Sequence, residues 1–118
     1  MKTDMDRDYA LTDKIYTQEE LIEVLRDCGK RFNIPTLYLF GSYARGEATS
    51  ESDVDVIYDG RNMHGLFESS GARLYLCDRL GKDVDWLPLD GFMAEIDEPH
   101  RTSFVNAVMR DRVIVDVR

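Results

Sequence analysis

The segment LYLFGSYARGEATSESDVDVIY, residues 37–58, determines the fold of the chain. Its pattern predicts a buried strand, a Gly-Ser turn leading into a short helix, a polar loop, and a second strand that carries Asp53 and Asp55. Because side chains of a strand alternate between its two faces, these two carboxylates share one face and the intervening Val54 lies on the other. Carboxylates about 7 Å apart along a strand can converge on one or two divalent cations. The segment therefore predicts a metal-binding pair beside an apolar face.

The Gly41-Ser42 turn has the properties of a phosphate-binding site. Glycine lets the backbone approach a ligand closely, amides at the start of a helix are unpaired, and Ser42 adds a hydroxyl donor. Gly41 and Gly46 have the spacing of a P-loop. Glu47 and Ala48 stand where that motif requires Lys and Ser or Thr, which excludes it. Turn and carboxylates together suit transfer from a metal-bound nucleoside triphosphate.

A second pair of acids lies in the segment DVDWLPL, residues 83–89, which reads as another strand. Asp83 and Asp85 occupy alternate positions, so both point to the same face. Periodicity alone leaves open which of them joins the first carboxylate pair.

The remaining pattern predicts an α/β domain, of the α+β kind, in which helices flank a small mixed β-sheet. A capping box of Thr17 and Glu20 opens a helix that Pro35 ends. A helix is expected over 66–80 with Gly81 as its cap, and residues 92–97 are ambiguous. A last helix over 99–110 and an edge strand over 112–117 complete the chain. The expected buried stripes of these helices are Leu21, Val24, Leu25, Cys28 and Phe32; Leu66, Ala72, Leu76, Cys77 and Leu80; and Phe104, Val105, Val108 and Met109.

The length of 118 residues predicts one domain, residues 17–118, preceded by a loosely ordered arm, residues 1–16. No apolar run resembles a secretory signal or is long enough to span a bilayer, so we expect a cytoplasmic protein without a membrane partner. Cys28 and Cys77 lie far apart on apolar helix faces, which indicates reduced core thiols.

The net charge of -8 bears on the partners of the chain. Proteins that grip long nucleic acids neutralise phosphates with clustered Lys and Arg, and no such cluster occurs here. Long nucleic acid is therefore disfavoured, whereas a basic protein partner or a small substrate is compatible with the charge.

Two further residues have alternative interpretations. Arg45 could pair with Glu47 or Asp53, or it could contact phosphate, because each role uses the same planar guanidinium. His64 lies in the turn-rich segment DGRNMHG, where a single His is more often a bystander than a base.

GSYARG followed by SDVDV resembles the signature of the nucleotidyltransferase superfamily that includes DNA polymerase beta, and most closely its minimal nucleotidyltransferase (MNT) branch. The matching positions are Gly41, Ser42, Arg45, Gly46, Asp53 and Asp55. The family's third carboxylate lies between hydrophobic residues within a strand. That context favours Asp85 over Asp83.

The resemblance implies a nucleotidyltransferase-like fold and an enzyme that uses ATP and Mg2+, with two ions expected. Asp53, Asp55 and Asp85 would be catalytic and hold the metal, while Gly41, Ser42 and Arg45 would bind the nucleotide. It further implies an antitoxin that adds AMP to a tyrosine of a HEPN-domain ribonuclease toxin. The alternatives are a small-molecule nucleotidyltransferase of the aminoglycoside-modifying kind and a non-catalytic antitoxin that acts by binding alone.

Overall fold

In the computed structural model, which describes residues 9–94, 100 and 102–117, helices alternate with the strands of a single sheet. The elements in chain order are α1 (Gln18–Phe32), β1 (Thr36–Phe40), α2 (Gly41–Arg45), β2 (Val54–Tyr58), α3 (Leu66–Leu80), β3 (Val84–Pro88), α4 (Leu89–Ala94), α5 (Thr102–Asp111) and β4 (Val113–Asp116).

The sheet has four strands in the order β3-β2-β1-β4. Strand β1 pairs antiparallel with both β2 and β4, whereas β2 and β3 run parallel. The predicted α/β domain with mixed strand directions is thus confirmed, and β4 is the edge strand predicted over 112–117. Because β2 and β3 run parallel and start side by side, each residue of β2 lies beside the residue at the same position counted from the start of β3.

Helix α1 begins and ends where the sequence predicts. The Thr17 side chain accepts from the backbone N–H of Glu20 at 3.1 Å, and the Glu20 side chain accepts from the backbone N–H of Thr17 at 2.9 Å. This capping box satisfies two amides that the first turn leaves unpaired. The helix ends at Asn33, which adopts the left-handed conformation two residues before Pro35.

The two faces of the sheet are covered by different helices. One face packs on α1 and α3 through buried residues that include Leu39 and Val56, and the other packs on α4 and α5 through Phe40 and Ile57. Because side chains alternate along β2, Asp55 lies on the α4/α5 face together with Ile57. The carboxylates therefore lie opposite the main core.

Three expectations for the helices need correction. Leu66 is 84% exposed because the buried residues of α3 begin only at Ala72. Met109 is 42% exposed, whereas Val105 and Val108 are buried and Phe104 packs beside them partly buried. Residues 89–94 form helix α4, which continues directly from β3 where the sequence predicted the strand's end and an ambiguous segment. The last helix begins at Thr102, and residues 95–99 and 101 lie outside the described residues.

Part of the predicted N-terminal arm lies against the turn between α3 and β3. The backbone N–H of Thr12 donates to the Gly81 carbonyl at 2.9 Å, and the Tyr16 hydroxyl donates to the Leu80 carbonyl at 2.6 Å. Residues 1–8 lie outside the described residues. The division of the chain at residue 17 stays a prediction.

Cys28 and Cys77 are free and buried, as predicted for core thiols. Burial raises the pKa of Cys28, so this thiol stays protonated and unreactive at neutral pH. Among the described helices, none combines the length and apolar character needed to cross a bilayer.

Candidate active site

The turn from β1 into α2 brings the backbone against a carboxylate. Gly41 has φ of +73°, a left-handed conformation that favours glycine. A Cβ added at this position would lie 2.0 Å from Oδ2 of Asp55. Only glycine therefore leaves room for the Asp55 carboxylate beside the start of α2.

Helix α2 is short and exposes its first turn to this carboxylate. Its N-cap is Phe40, whose side chain has no acceptor for the leading amides. Ser42 is partly exposed in the same turn, and the helix ends at Gly46, again in a left-handed conformation. The turn thus combines backbone amides and a hydroxyl beside Asp55, the groups that a phosphate-binding turn requires.

Asp55 and Asp85 are direct neighbours across the parallel strands β2 and β3. Their carboxyl groups lie within hydrogen-bonding reach of each other. Burial is the first cause that raises the pKa of Asp55 to about 7, followed by the hydrogen bond to Asp85 and the negative charges of Asp85 and Asp53. The pair is held together in spite of the repulsion between two charged carboxylates, an arrangement common at functional sites.

Asp53 stands one residue before β2, at its N-terminal end. It is more exposed than Asp55 and acts on it through its charge. The three acids Asp53, Asp55 and Asp85 therefore form one electrostatic group.

Asp83 has different surroundings. Its side chain accepts a hydrogen bond from the Tyr9 hydroxyl, and its backbone carbonyl accepts from the backbone N–H of Val54 at 3.0 Å. These contacts tie Asp83 to the N-terminal segment and to the beginning of β2. Of the two acids that periodicity left open, Asp85 is the one placed beside Asp55.

Arg45 forms an ion pair with Glu47, with 2.9 Å between Nε and Oε1. The same side chain borders the carboxylates, where its charge opposes the upward shift in the pKa of Asp55. The pairing with Glu47 was one of the predicted alternatives. Because that pair is exposed and contributes little stability, the guanidinium can exchange Glu47 for an anionic ligand.

A cleft of about 250 Å3 opens over the carboxylate pair. Its lining residues are Phe40, Gly41, Arg45, Asp55, Asp85, Phe104, Ala107 and Val108. The wall from α5 is the part that sequence reasoning missed, because its apolar residues read as ordinary core positions. His64 is exposed and lies outside this lining, and its backbone N–H donates to Glu68 at 2.7 Å.

The donor set of the cleft consists of carboxylate oxygens, which suit a hard divalent cation such as Mg2+. In the described part of the chain, no three His, Cys, Asp or Glu side chains already stand as a complete ligand set. Asp55 and Asp85 are direct neighbours across the sheet, so two oxygen-donating side chains face one cleft. A cation bound between these carboxylates would relieve their mutual repulsion, so the donor set fits a metal.

A family model for the nucleotidyltransferase domain matches residues 21–115. The chain therefore belongs to the nucleotidyltransferase family and is an enzyme of that class.

Two relatives and one solved structure add detail. The chain is 36% identical over 73 residues to the protein adenylyltransferase MntA of Thermococcus cleftensis, which covers 58% of this chain and 74% of the relative. A Methanocaldococcus jannaschii protein, named by inference for the same activity, is 39% identical over 75 residues, covering 58% of this chain and 75% of that protein. The fold resembles a crystal structure of a toxin–antitoxin complex with AMP-PNP, with a TM-score of 0.60, 19% identity, and coverage of 80% of this chain and 71% of the other.

Proposed function

We propose that this chain transfers AMP from ATP to a hydroxyl group of a protein partner. The observation that carries the proposal is the Asp55–Asp85 pair, which is packed against the glycine of a helix-opening turn. Phosphate-binding amides and paired carboxylates at one point are the parts that nucleotidyl transfer requires.

In this proposal the β- and γ-phosphates of ATP bind at the start of α2. The backbone at Gly41 and the hydroxyl of Ser42 donate to phosphate oxygens and orient pyrophosphate as the leaving group. Arg45 releases Glu47 and adds a charge-assisted contact. The 250 Å3 cleft accepts the part of the nucleotide nearest the reacting phosphorus.

Asp53, Asp55 and Asp85 would hold Mg2+, with two ions expected. Bound there, Mg2+ would neutralise phosphate charge and favour departure of pyrophosphate. Asp55 would bind the cation in its ionised form, and a bound cation favours that form because its positive charge lowers the pKa of a neighbouring carboxyl group. Asp53, at the exposed end of the group, would supply a further carboxylate oxygen.

The reaction proposed is an in-line displacement at the α-phosphorus. The acceptor oxygen forms a bond to phosphorus, the bond from the α-phosphorus to its bridging oxygen breaks, and pyrophosphate leaves. Asp85 is the candidate for the group that takes the acceptor proton, because it is the more exposed of the paired carboxylates.

We further propose that the acceptor is a tyrosine of a HEPN-domain toxin in the cytoplasm, with this chain as its antitoxin. The support is the name of the Thermococcus relative, a protein adenylyltransferase, and the toxin–antitoxin complex among the structural neighbours. The net charge of -8 suits a basic protein partner.

The experiment compares Asp85→Asn with its matched control Asp83→Asn, two variants that each remove one negative charge from the same strand region. ATP labelled on the α-phosphate is incubated with the chain and a co-expressed HEPN toxin, and ATP labelled on the γ-phosphate is run in parallel. We expect the α label on the toxin and the γ label in pyrophosphate. Asp85→Asn should lose about a hundredfold or more in rate, while Asp83→Asn stays within a few-fold of wild type.

Circular dichroism confirms that both variants fold. Transfer of the γ label would indicate a kinase and would contradict the proposal. Full activity of Asp85→Asn would show that the third carboxylate is a residue other than Asp85.

A further inference from the structure

Lys82 is a buried charged residue immediately before β3. It is only 3% exposed, and its ammonium group donates a hydrogen bond of 2.7 Å to the backbone carbonyl of Ser50. Burying an ammonium group is costly unless its hydrogen bonds or nearby charges compensate. The hydrogen bond to Ser50 therefore compensates for the burial of this charge.

The carbonyl that Lys82 holds belongs to the loop leading into β2. Thr49 and Ser52 close this loop on itself, since the backbone N–H of Thr49 donates to the Ser52 hydroxyl at 2.8 Å and the backbone N–H of Ser52 donates to the Thr49 carbonyl at 3.1 Å. Lys82 binds the middle of this closed turn. The turn is therefore a closed hydrogen-bonded unit, and Lys82 anchors it to the start of β3.

Asp53 follows this turn directly. On its other side, the backbone N–H of Val54 donates to the Asp83 carbonyl at 3.0 Å. The backbone of Asp53 is thus held between two attachments to the start of β3, one at Ser50 and one at Val54. The strand that carries Asp85 also fixes the position of Asp53.

We propose that Lys82 is a positioning residue that holds Asp53 where it can join Asp55 and Asp85 around a divalent cation. The inference rests on the metal site proposed above and assigns to it a residue that touches neither metal nor nucleotide. Hydrogen bonds that hold a metal-binding residue in place without touching the metal commonly set the affinity of a metal site.

The direction in which the Mn2+ affinity changes when Lys82 is replaced distinguishes a positioning role from a purely electrostatic one. Lys82 lines a cavity together with Asp53 and Asp83, so deleting its positive charge makes the surroundings of the metal more negative. Electrostatics alone therefore predicts that a cation binds more tightly without Lys82. Positioning predicts the opposite, because Asp53 loses its fixed location.

The experiment is calorimetric titration of the purified chain with MnCl2 alone, without nucleotide. Lys82→Met keeps the aliphatic stem and removes the ammonium group. We expect its Mn2+ dissociation constant to rise about tenfold, as for other outer contacts of metal sites. Lys30→Met, at an exposed position of α1, removes the same charge and should leave the constant unchanged.

A second variant serves if Lys82→Met fails to fold. Ser52→Ala loosens the same turn in an exposed loop, and we expect a rise of about threefold in the constant, the contribution of one ordinary hydrogen bond. If Lys82→Met folds, unchanged or tighter Mn2+ binding by this variant would overturn the inference. If Lys82→Met is unfolded, unchanged Mn2+ binding by Ser52→Ala would overturn it. If the wild-type chain binds no Mn2+, both the proposed metal site and this inference are wrong. If the wild-type chain binds Mn2+ and Lys82→Met binds it with the same dissociation constant, only this inference is wrong.

Discussion

Replacing Gly41 by alanine tests whether the close contact between α2 and Asp55 is what assembles the site. An added Cβ would lie 2.0 Å from Oδ2 of Asp55, whereas ordinary contact begins at 3.4 Å. The carboxylate or the turn must therefore move by about 1.4 Å. A misplacement of about 1 Å at a reacting group can cost about a hundredfold in rate.

Gly46→Ala provides the matched control. Gly46 has φ of +72°, nearly that of Gly41, but an added Cβ there would meet nothing within 4 Å. Both variants should lose about 1 to 2 kcal/mol of stability from the left-handed conformation alone. The two differ only in the collision with Asp55.

The assays are thermal unfolding, calorimetric Mn2+ binding and pyrophosphate release. We expect both variants to lose stability, Gly41→Ala by at least as much as Gly46→Ala, with a fall of about a hundredfold in rate and weakened Mn2+ binding in Gly41→Ala only. Equal rates and Mn2+ affinities in the two variants would refute the reasoning, because the collision would then have no consequence for the carboxylates.

The remaining predictions concern charge, phosphate and the first helix. Because Asp55 binds its proton more tightly in the folded state, with its pKa raised to about 7, the metal-free protein should lose stability as pH rises from about 4 to 7 and level off above that. Asp55→Asn should remove this loss and raise the unfolding free energy at pH 8 by about 1 to 2 kcal/mol, a value reduced from the full pKa shift because Asp55 is partly exposed. Urea unfolding at several pH values in EDTA measures this free energy. A wild-type unfolding free energy that does not change over this pH range would contradict the prediction. Ser42→Ala should slow transfer by the strength of one charge-assisted hydrogen bond, about 1.5 to 3 kcal/mol, with folding unchanged; unaltered kinetics would assign Ser42 to structure. Thr17→Ala removes the cap of α1 and should cost about 1 kcal/mol of stability without changing ATP affinity, as measured by chemical unfolding and calorimetry.

The sequence predicted those parts of the fold that depend on local chemistry. The capping box at Thr17 gives the start of α1, and the left-handed Gly81 gives the end of α3. Alternation along β2 predicted that Val54 and Asp55 lie on opposite faces of the sheet, although Ile57, on the Asp55 face, is buried as well. Each of these signals acts within a few residues of chain, so no tertiary information was needed.

The parts that could not be predicted depend on contacts between distant segments. The pairing of Asp55 with Asp85 follows from the parallel register of β2 and β3, and periodicity gives a face but no register. Helix α4 begins at Leu89 directly after β3, so no loop separates the two elements and the sequence offered no turn signal for its start. Lys82 carries no local signal at all, because its burial and its bond to Ser50 exist only once β3 and the β2 loop meet.

The most direct test of the central claim is a calorimetric titration of ATP into the purified chain, performed once in Mg2+ and once in EDTA. The claim is that the Asp55–Asp85 pair and the turn at Gly41 form one metal-dependent nucleotide site. We predict binding in Mg2+, no measurable binding in EDTA, and no measurable binding in either buffer for Asp55→Asn. Equally tight binding of ATP by the wild-type chain in both buffers would contradict the account.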